Sequence, residues 1–297
     1  MSHDCHSSQK NISLHNYKFI WGIILNIIFI IIELSFGFIS DSMALISDAL
    51  HNFGDVLSLG LALCANILLK SKSSDNRTYG WRSFSILASF ISSASLIFIL
   101  GALFIENIHR LNQAIEVNSV VVIWVSLIGL IINFGTALLF LDSKDKDFNI
   151  KAAYLHMLAD ALISAAVMIG GIAMYFTGWL WIDGALSLFV IVFILYATIK
   201  LTYDSANLLL AGVPKNINLK EIQNFFTTHK DIQNFHDLHV WALSTAEVAM
   251  TVHLLVNIET NNQELLKTIA DHFEKEFKIS HCTIQIEKDL SSCKSCN

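Results

Sequence analysis

The sequence predicts a membrane protein in two parts: an all-α transmembrane domain of six helices, then a small cytoplasmic α/β domain of ferredoxin-like type. Three observations predict it. Of the 297 residues, 54% are hydrophobic and only 15% are charged, whereas a soluble domain carries about 25% charged residues. The shortage lies in the first two-thirds of the chain, and the last third has an ordinary balance. Six mostly apolar segments each reach the about 20 residues that a helix needs to cross a bilayer core. The formal net charge of −6 leaves no basic footprint, so nucleic acid is not expected as a partner.

The chain opens with a polar stretch from Met1 to Lys10, without a signal peptide. Residues 1–16 are expected as a cytoplasmic N-terminal segment carrying His3, Cys5 and His6. Spans are expected at about 17–39, 44–69, 84–107, 118–141, 152–176 and 182–210, so the six-span transmembrane domain covers 17–210. Lipid admits only helices or closed barrels, and these runs are too long and too little alternating for barrel strands. Basic residues orient them. Lys10 and Lys18 flank the start of span 1, Lys70, Lys72, Arg77 and Arg82 lie between spans 2 and 3, and Lys144, Lys146 and Lys151 lie between spans 4 and 5. The opposite loops offer only Arg110, so a multi-pass protein with both termini in the cytoplasm follows.

Gly212, Val213 and Pro214 punctuate the junction to the tail, residues 211–297. A helix is expected from Asn218 or Leu219 to Thr228, and a strand from Phe235 to Leu243. Val248, Met250, Val252, Leu254 and Val256 alternate as in a half-buried strand. Helical spacing returns from Asn262 to Phe277, and Cys282 to Glu287 makes a last strand.

Charged groups inside spans cost about 2.5–3.5 kcal/mol each on insertion scales, so they need a reason. Span 2 carries Asp48, His51 and Asp55, and span 5 carries His156 and Asp160. Within each His/Asp pair the residues are four apart and share one helix face. Two such faces can close a site of two imidazole nitrogens and two carboxylate oxygens. Tetrahedral N₂O₂ coordination suits Zn²⁺, with Co²⁺ and Cd²⁺ as alternatives, while Mg²⁺ and Ca²⁺ favour all-oxygen shells. A chance pair of polar residues between helices would not repeat on a second span. Glu33, Asp48, Asn26 and Asn133 are expected as hydrogen-bonding residues between spans, and Asp183 as interfacial.

Further motifs run nearly end to end. Span 1 reads Asn26-x-x-Phe29-x-x-x-Glu33-x-x-x-Gly37, and D-S-M-A-L-I-S-D-A-L-H-N-F-G-D follows from Asp41 to Asp55. Then come Y-G-W-R-S-F from Tyr79 to Phe84, H-M-L-A-D in span 5, and H-D-L-H-V-W and T-I-Q-I-E in the tail. On these motifs the chain resembles the cation diffusion facilitators, and within them the zinc-transporting members. The resemblance implies a homodimer that exports Zn²⁺ from the cytoplasm in exchange for protons, with metal held by His51, Asp55, His156 and Asp160. It also implies zinc over manganese, because manganese members carry Asp at the position of His51. Two features depart from relatives. The loop Lys70 to Gly80 has Asp75 but no His, so no second site is expected there, and the short Asp142 to Ile150 segment lacks a histidine-rich loop.

The tail is rich in His236, His239, His253, His281, Cys282, Cys293 and Cys296. Strand parity turns His253 away from the core face, together with Thr251, and groups Thr283, Gln285 and Glu287 opposite Ile284 and Ile286. Simple alternation would place His239, rather than His236, with Asp237. The resemblance instead gives the ligand role to His236, with His253 and Glu287, and His281 as a fourth partner. Cys293-x-x-Cys296 has the spacing of a structural zinc knuckle, and His3, Cys5 and His6 can complete it as a terminal site. Zn²⁺ is thus expected as cargo and as a bound ion in the cytoplasmic domain. Two other classes remain, a zinc-dependent membrane enzyme and a membrane metal sensor. Catalytic zinc usually keeps three protein ligands and an open water position, whereas two duplicated pairs supply four.

Overall fold

A computed structural model describes residues 17–69, 73–111, 116–141, 148–257 and 260–288. The expected terminal ligands His3, Cys5, His6, Cys293 and Cys296 lie outside them. Six long helices come first: α1 (Tyr17–Ile39), α2 (Met43–Leu69), α3 (Phe84–Leu111), α4 (Ser119–Leu141), α5 (Phe148–Thr177) and α6 (Trp181–Leu209). Among the described residues, four stretches are long and apolar enough to cross a membrane: Phe84–Leu111, Ser119–Leu138, Tyr154–Thr177 and Trp181–Leu209. The described part of α1 adds a shorter apolar helix, Asn26–Ile39, and α2 carries Asp48, His51 and Asp55. Large apolar side chains point outward along these helices, among them Phe98, Phe176 and Tyr196. Such a surface belongs against lipid rather than water. The chain is a multi-pass integral membrane protein.

The described chain packs as two compact units. In the first, the described residues up to Leu57 pack with Ser95–Ala197. Its tight α1–α2 connection follows from local chemistry. Asp41 takes a left-handed φ of 53°. The amides of Ser42 and Asp41 then donate to the carbonyls of Gly37 (3.0 Å) and Phe38 (3.4 Å), the pair of hydrogen bonds that closes a helix on a left-handed residue. Ser42 then caps α2, its hydroxyl accepting from Leu45 N at 3.2 Å. Small residues let the helices approach closely: a Cβ at Gly129 of α4 would lie 2.6 Å from the ring of Phe29 on α1 and 3.2 Å from Ser164 Oγ on α5.

The second unit joins Ser58–Ala94 with the described residues from Thr198 onward. Its tail runs α7 (Leu219–Thr228), β1 (Ile232–Ala242), β2 (Val248–Val256), α8 (Asn262–Glu276) and β3 (Ile279–Glu287). The strands form one mixed sheet in the order β1-β2-β3, with β1 antiparallel and β3 parallel to β2. Ile222 and Phe226 of α7 and Leu265, Ile269 and Phe273 of α8 cover one sheet face, against Met250, Val252 and Leu254. The ferredoxin-like expectation is corrected to a smaller unit. That fold, βαββαβ, needs a strand ahead of α7, and the segment between α6 and α7 forms none.

Also in this unit, the α2–α3 connection lies against the tail. Arg82 pairs with Glu247 at 3.2 Å, Ser83 donates to Leu243 O at 3.2 Å, and Thr245 N donates to Ser85 Oγ at 3.1 Å.

Candidate metal centre

In the first unit, α2 and α5 bring their two His/Asp pairs to one locus. His51 Nε2 lies 3.6 Å from Asp55 Oδ2 and 3.4 Å from Asp160 Oδ1. His156 Nε2 lies 3.2 Å from Asp55 Oδ2 and 3.7 Å from Asp160 Oδ2. Each imidazole therefore faces both carboxylates, and the rings stand edge to face with centroids 6.1 Å apart. Ligand atoms of His51, Asp55 and Asp160 fall within 4.8 Å of one another. Asp160 is buried, His51 and Asp55 are half-buried, and His156 is the open side of the group. Asp55 Oδ2 and Asp160 Oδ1 are enclosed and accept no hydrogen bond, which is costly unless another partner is meant to reach them. Two carboxylates and two neutral imidazoles balance the charge of one divalent cation.

Around this locus, buried polar groups link helices. Asn52 donates to Glu33 Oε2 at 3.2 Å, and Ser164 donates to Asp48 Oδ2 at 3.3 Å. Glu33 and Asp48 thus take the bridging role expected of them. Asp183, expected as interfacial, lies in the first turn of α6 and is buried there. Its carboxylate accepts from Ser42 Oγ at 2.5 Å, Met43 N at 2.7 Å and Ala44 N at 3.4 Å. It thereby satisfies the exposed amides at the start of α2, where a negative charge is favoured.

A second cluster lies in the tail, with one residue from each strand. His236 pairs in register with His253, and Glu287 sits beside them at the end of β3. His253 Nδ1 is 3.1 Å from Glu287 Oε1, and His236 Nε2 is 3.4 Å from Glu287 Oε2. Ligand atoms of the three lie within 4.8 Å of one another. His236 Nε2 and Glu287 Oε2 are buried and lack hydrogen-bond partners, as expected of atoms that would share a metal. The residues of the tail therefore fit a bound cation. Glu287 is buried rather than on an accessible face, because both imidazoles close over it.

Alternation fails on β1 because the register shifts between His236 and His239. Asp237 lies in that break with φ of 51°, and the extra residue turns His236 toward His253. His239 goes elsewhere: its Nε2 is 2.8 Å from Asp237 Oδ1, and this hydrogen bond holds the Asp237 carboxyl below its ordinary range. The structure does not bring His281 to the cluster. It lies six positions before Glu287 on β3, about 20 Å away at the strand's rise, with Nε2 3.4 Å from the Tyr79 hydroxyl. Two residues that the sequence reading named but gave no part in the cluster adjoin it. Gln285 donates to Glu287 Oε1 at 3.0 Å. Asp237 was visible only as the acid inside H-D-L-H, a residue type that tolerates left-handed backbone.

Comparison with known proteins agrees with this architecture. A family model described as the cation efflux transmembrane domain matches residues 19–210, and one described as the cation efflux protein cytoplasmic domain matches residues 214–289. The chain is 34% identical over 266 residues to a cadmium, cobalt and zinc/H(+)-K(+) antiporter of Bacillus subtilis, covering 88% of this chain and 85% of that protein. It is 33% identical over 267 residues to the metal cation efflux system protein CzcD of Cupriavidus metallidurans, covering 90% and 84%. It is 31% identical over 261 residues to the zinc transporter ZitB of Escherichia coli, covering 87% and 83%. With helices, tail and matched domains in the same order, the chain belongs to the cation diffusion facilitator family of cation efflux transporters.

Proposed function

We propose that this protein exports Zn²⁺ from the cytoplasm in exchange for protons, through an intramembrane site of His51, Asp55, His156 and Asp160. The observation that carries the proposal is the convergence of both His/Asp pairs, with each imidazole Nε2 within 3.7 Å of both carboxylates. The mixed nitrogen and oxygen set favours Zn²⁺, Cd²⁺ or Co²⁺ over Mg²⁺ or Ca²⁺, and relatives are named for the same three metals. Metal needs neutral imidazole and ionised carboxylate, so loading releases protons and protonation ejects metal. Imidazole titrates near neutral pH, which lets a proton compete on the far side of the membrane. The site opens to one face and then the other.

In this reading six spans cover 17–210 with both termini cytoplasmic. The domain from 211 holds Zn²⁺ at His236, His253 and Glu287, and the chain works as a homodimer. The test is Zn²⁺ flux in liposomes. Asp55→Ala and Asp160→Ala each abolish it while the protein still folds; transport retained by either variant overturns the site. Flux itself separates a transporter from a metal sensor or a zinc-dependent enzyme.

A further inference from the structure

Resting on the reading that His236, His253 and Glu287 hold a metal, we infer that Asp237 is the positioning residue of that site, acting once through its backbone and once through its carboxylate. The backbone part is the break in β1. Regular alternation along the strand would keep His236 and His253 on opposite faces, yet the two are register partners with ring centroids 5.1 Å apart. The register shifts where Asp237 adopts φ of 51°. A non-glycine residue held in this conformation stores strain, and such strain gathers at functional sites. Here it places His236 Nε2 against Glu287 Oε2 at 3.4 Å.

The side-chain part concerns the second nitrogen of His253. Nδ1 faces Glu287 at 3.1 Å, so this is the nitrogen that meets a metal. The proton then resides on Nε2, and the structure sets Asp237 Oδ2 3.7 Å from that atom. The other oxygen, Oδ1, is 2.8 Å from His239 Nε2, which holds the carboxylate in place. A carboxylate behind a metal-binding imidazole fixes the ring and its tautomer and makes it a better ligand. The 3.7 Å separation is longer than a hydrogen bond; metal on Nδ1 makes the Nε2 proton more acidic and draws the carboxylate onto it. His239 therefore supports the site without ligating it.

Full-length protein carrying Asp160→Ala, which silences the intramembrane site, serves as the parent, titrated with Zn²⁺ and, for spectra, with Co²⁺. Asp237→Gly keeps φ near 51° without strain and deletes the carboxylate. It is expected to unfold at the parent's temperature or above, yet to bind Zn²⁺ about 10- to 100-fold more weakly, with altered Co²⁺ ligand-field bands. Asp237→Asn, which also tolerates this backbone and keeps an acceptor oxygen, recovers most of the affinity and the parental Co²⁺ spectrum. A glycine variant that binds as tightly as the parent overturns the inference, as does an asparagine variant no better than glycine. Glu287→Ala reports on the underlying reading: if it costs the parent no Zn²⁺ affinity, the metal site itself is wrong. If it does and Asp237→Gly does not, only the role of Asp237 falls.

Discussion

At Asp183 one carboxylate at the start of α6 closes the N-terminus of α2, the helix that carries His51 and Asp55. Its place at the head of a span suggests an interfacial group; its burial is set by the helix that docks on it, which no local pattern encodes. Asp183→Ala should therefore cost about 2 kcal/mol, the scale of a lost cap with charged hydrogen bonds. Thermal unfolding in detergent measures this, and an unchanged Tm contradicts it. Cys282 gives a second prediction at this scale. It packs against the tail core from β3, and burial pushes its thiol up to about 11. At pH 8 about one molecule in a thousand carries the reactive thiolate. Iodoacetamide should leave Cys282 unmodified in the folded protein and alkylate it in denaturant, as mass spectrometry would show; rapid labelling of the native chain refutes the burial argument.

Among elements, helices α1 to α6 fall within a few residues of the apolar runs. Hydropathy marks the lipid-facing stretch rather than the hydrogen-bonded helix. Thus α5 starts at Phe148, ahead of its apolar run, and α3 continues to Leu111, where Arg110 reaches back to Glu106 at 3.0 Å. The pairs His51/Asp55 and His156/Asp160 were legible because helical spacing alone puts i and i+4 on one face. The β1 break was not, since one left-handed residue shifts every side chain after it and nothing but an acid in H-D-L-H announces it. Helix packing yields a paired prediction on α4. Gly129→Ala drives a Cβ into the buried Phe29 ring, while Gly135, with nothing within 4 Å of its Cβ position, has room. The first variant should lower Tm; the second should leave it unchanged or raise it, because alanine gains about 1 kcal/mol of helix propensity over glycine. Equal effects of the two would refute the close approach of α1 and α4.

For the whole molecule, the apolar helices were legible from where charge is scarce, and the family from motifs spread along the chain. The two candidate metal clusters differ in design. The membrane cluster pairs two carboxylates with two imidazoles from two helices; the tail cluster draws one residue from each of three strands, so an ion bound there would tie the sheet together. Chelation of Zn²⁺ should accordingly lower the unfolding temperature of the wild type more than that of Glu287→Ala, and an equal drop would count against metal in the tail. The central claim is coupled exchange at His51, Asp55, His156 and Asp160. Purified protein in liposomes, with a Zn²⁺ dye and a pH dye recorded together, tests it most directly. Zn²⁺ entry should be accompanied by proton movement in the opposite direction, with both signals absent in Asp160→Ala. Zn²⁺ entry with no proton movement would contradict the account.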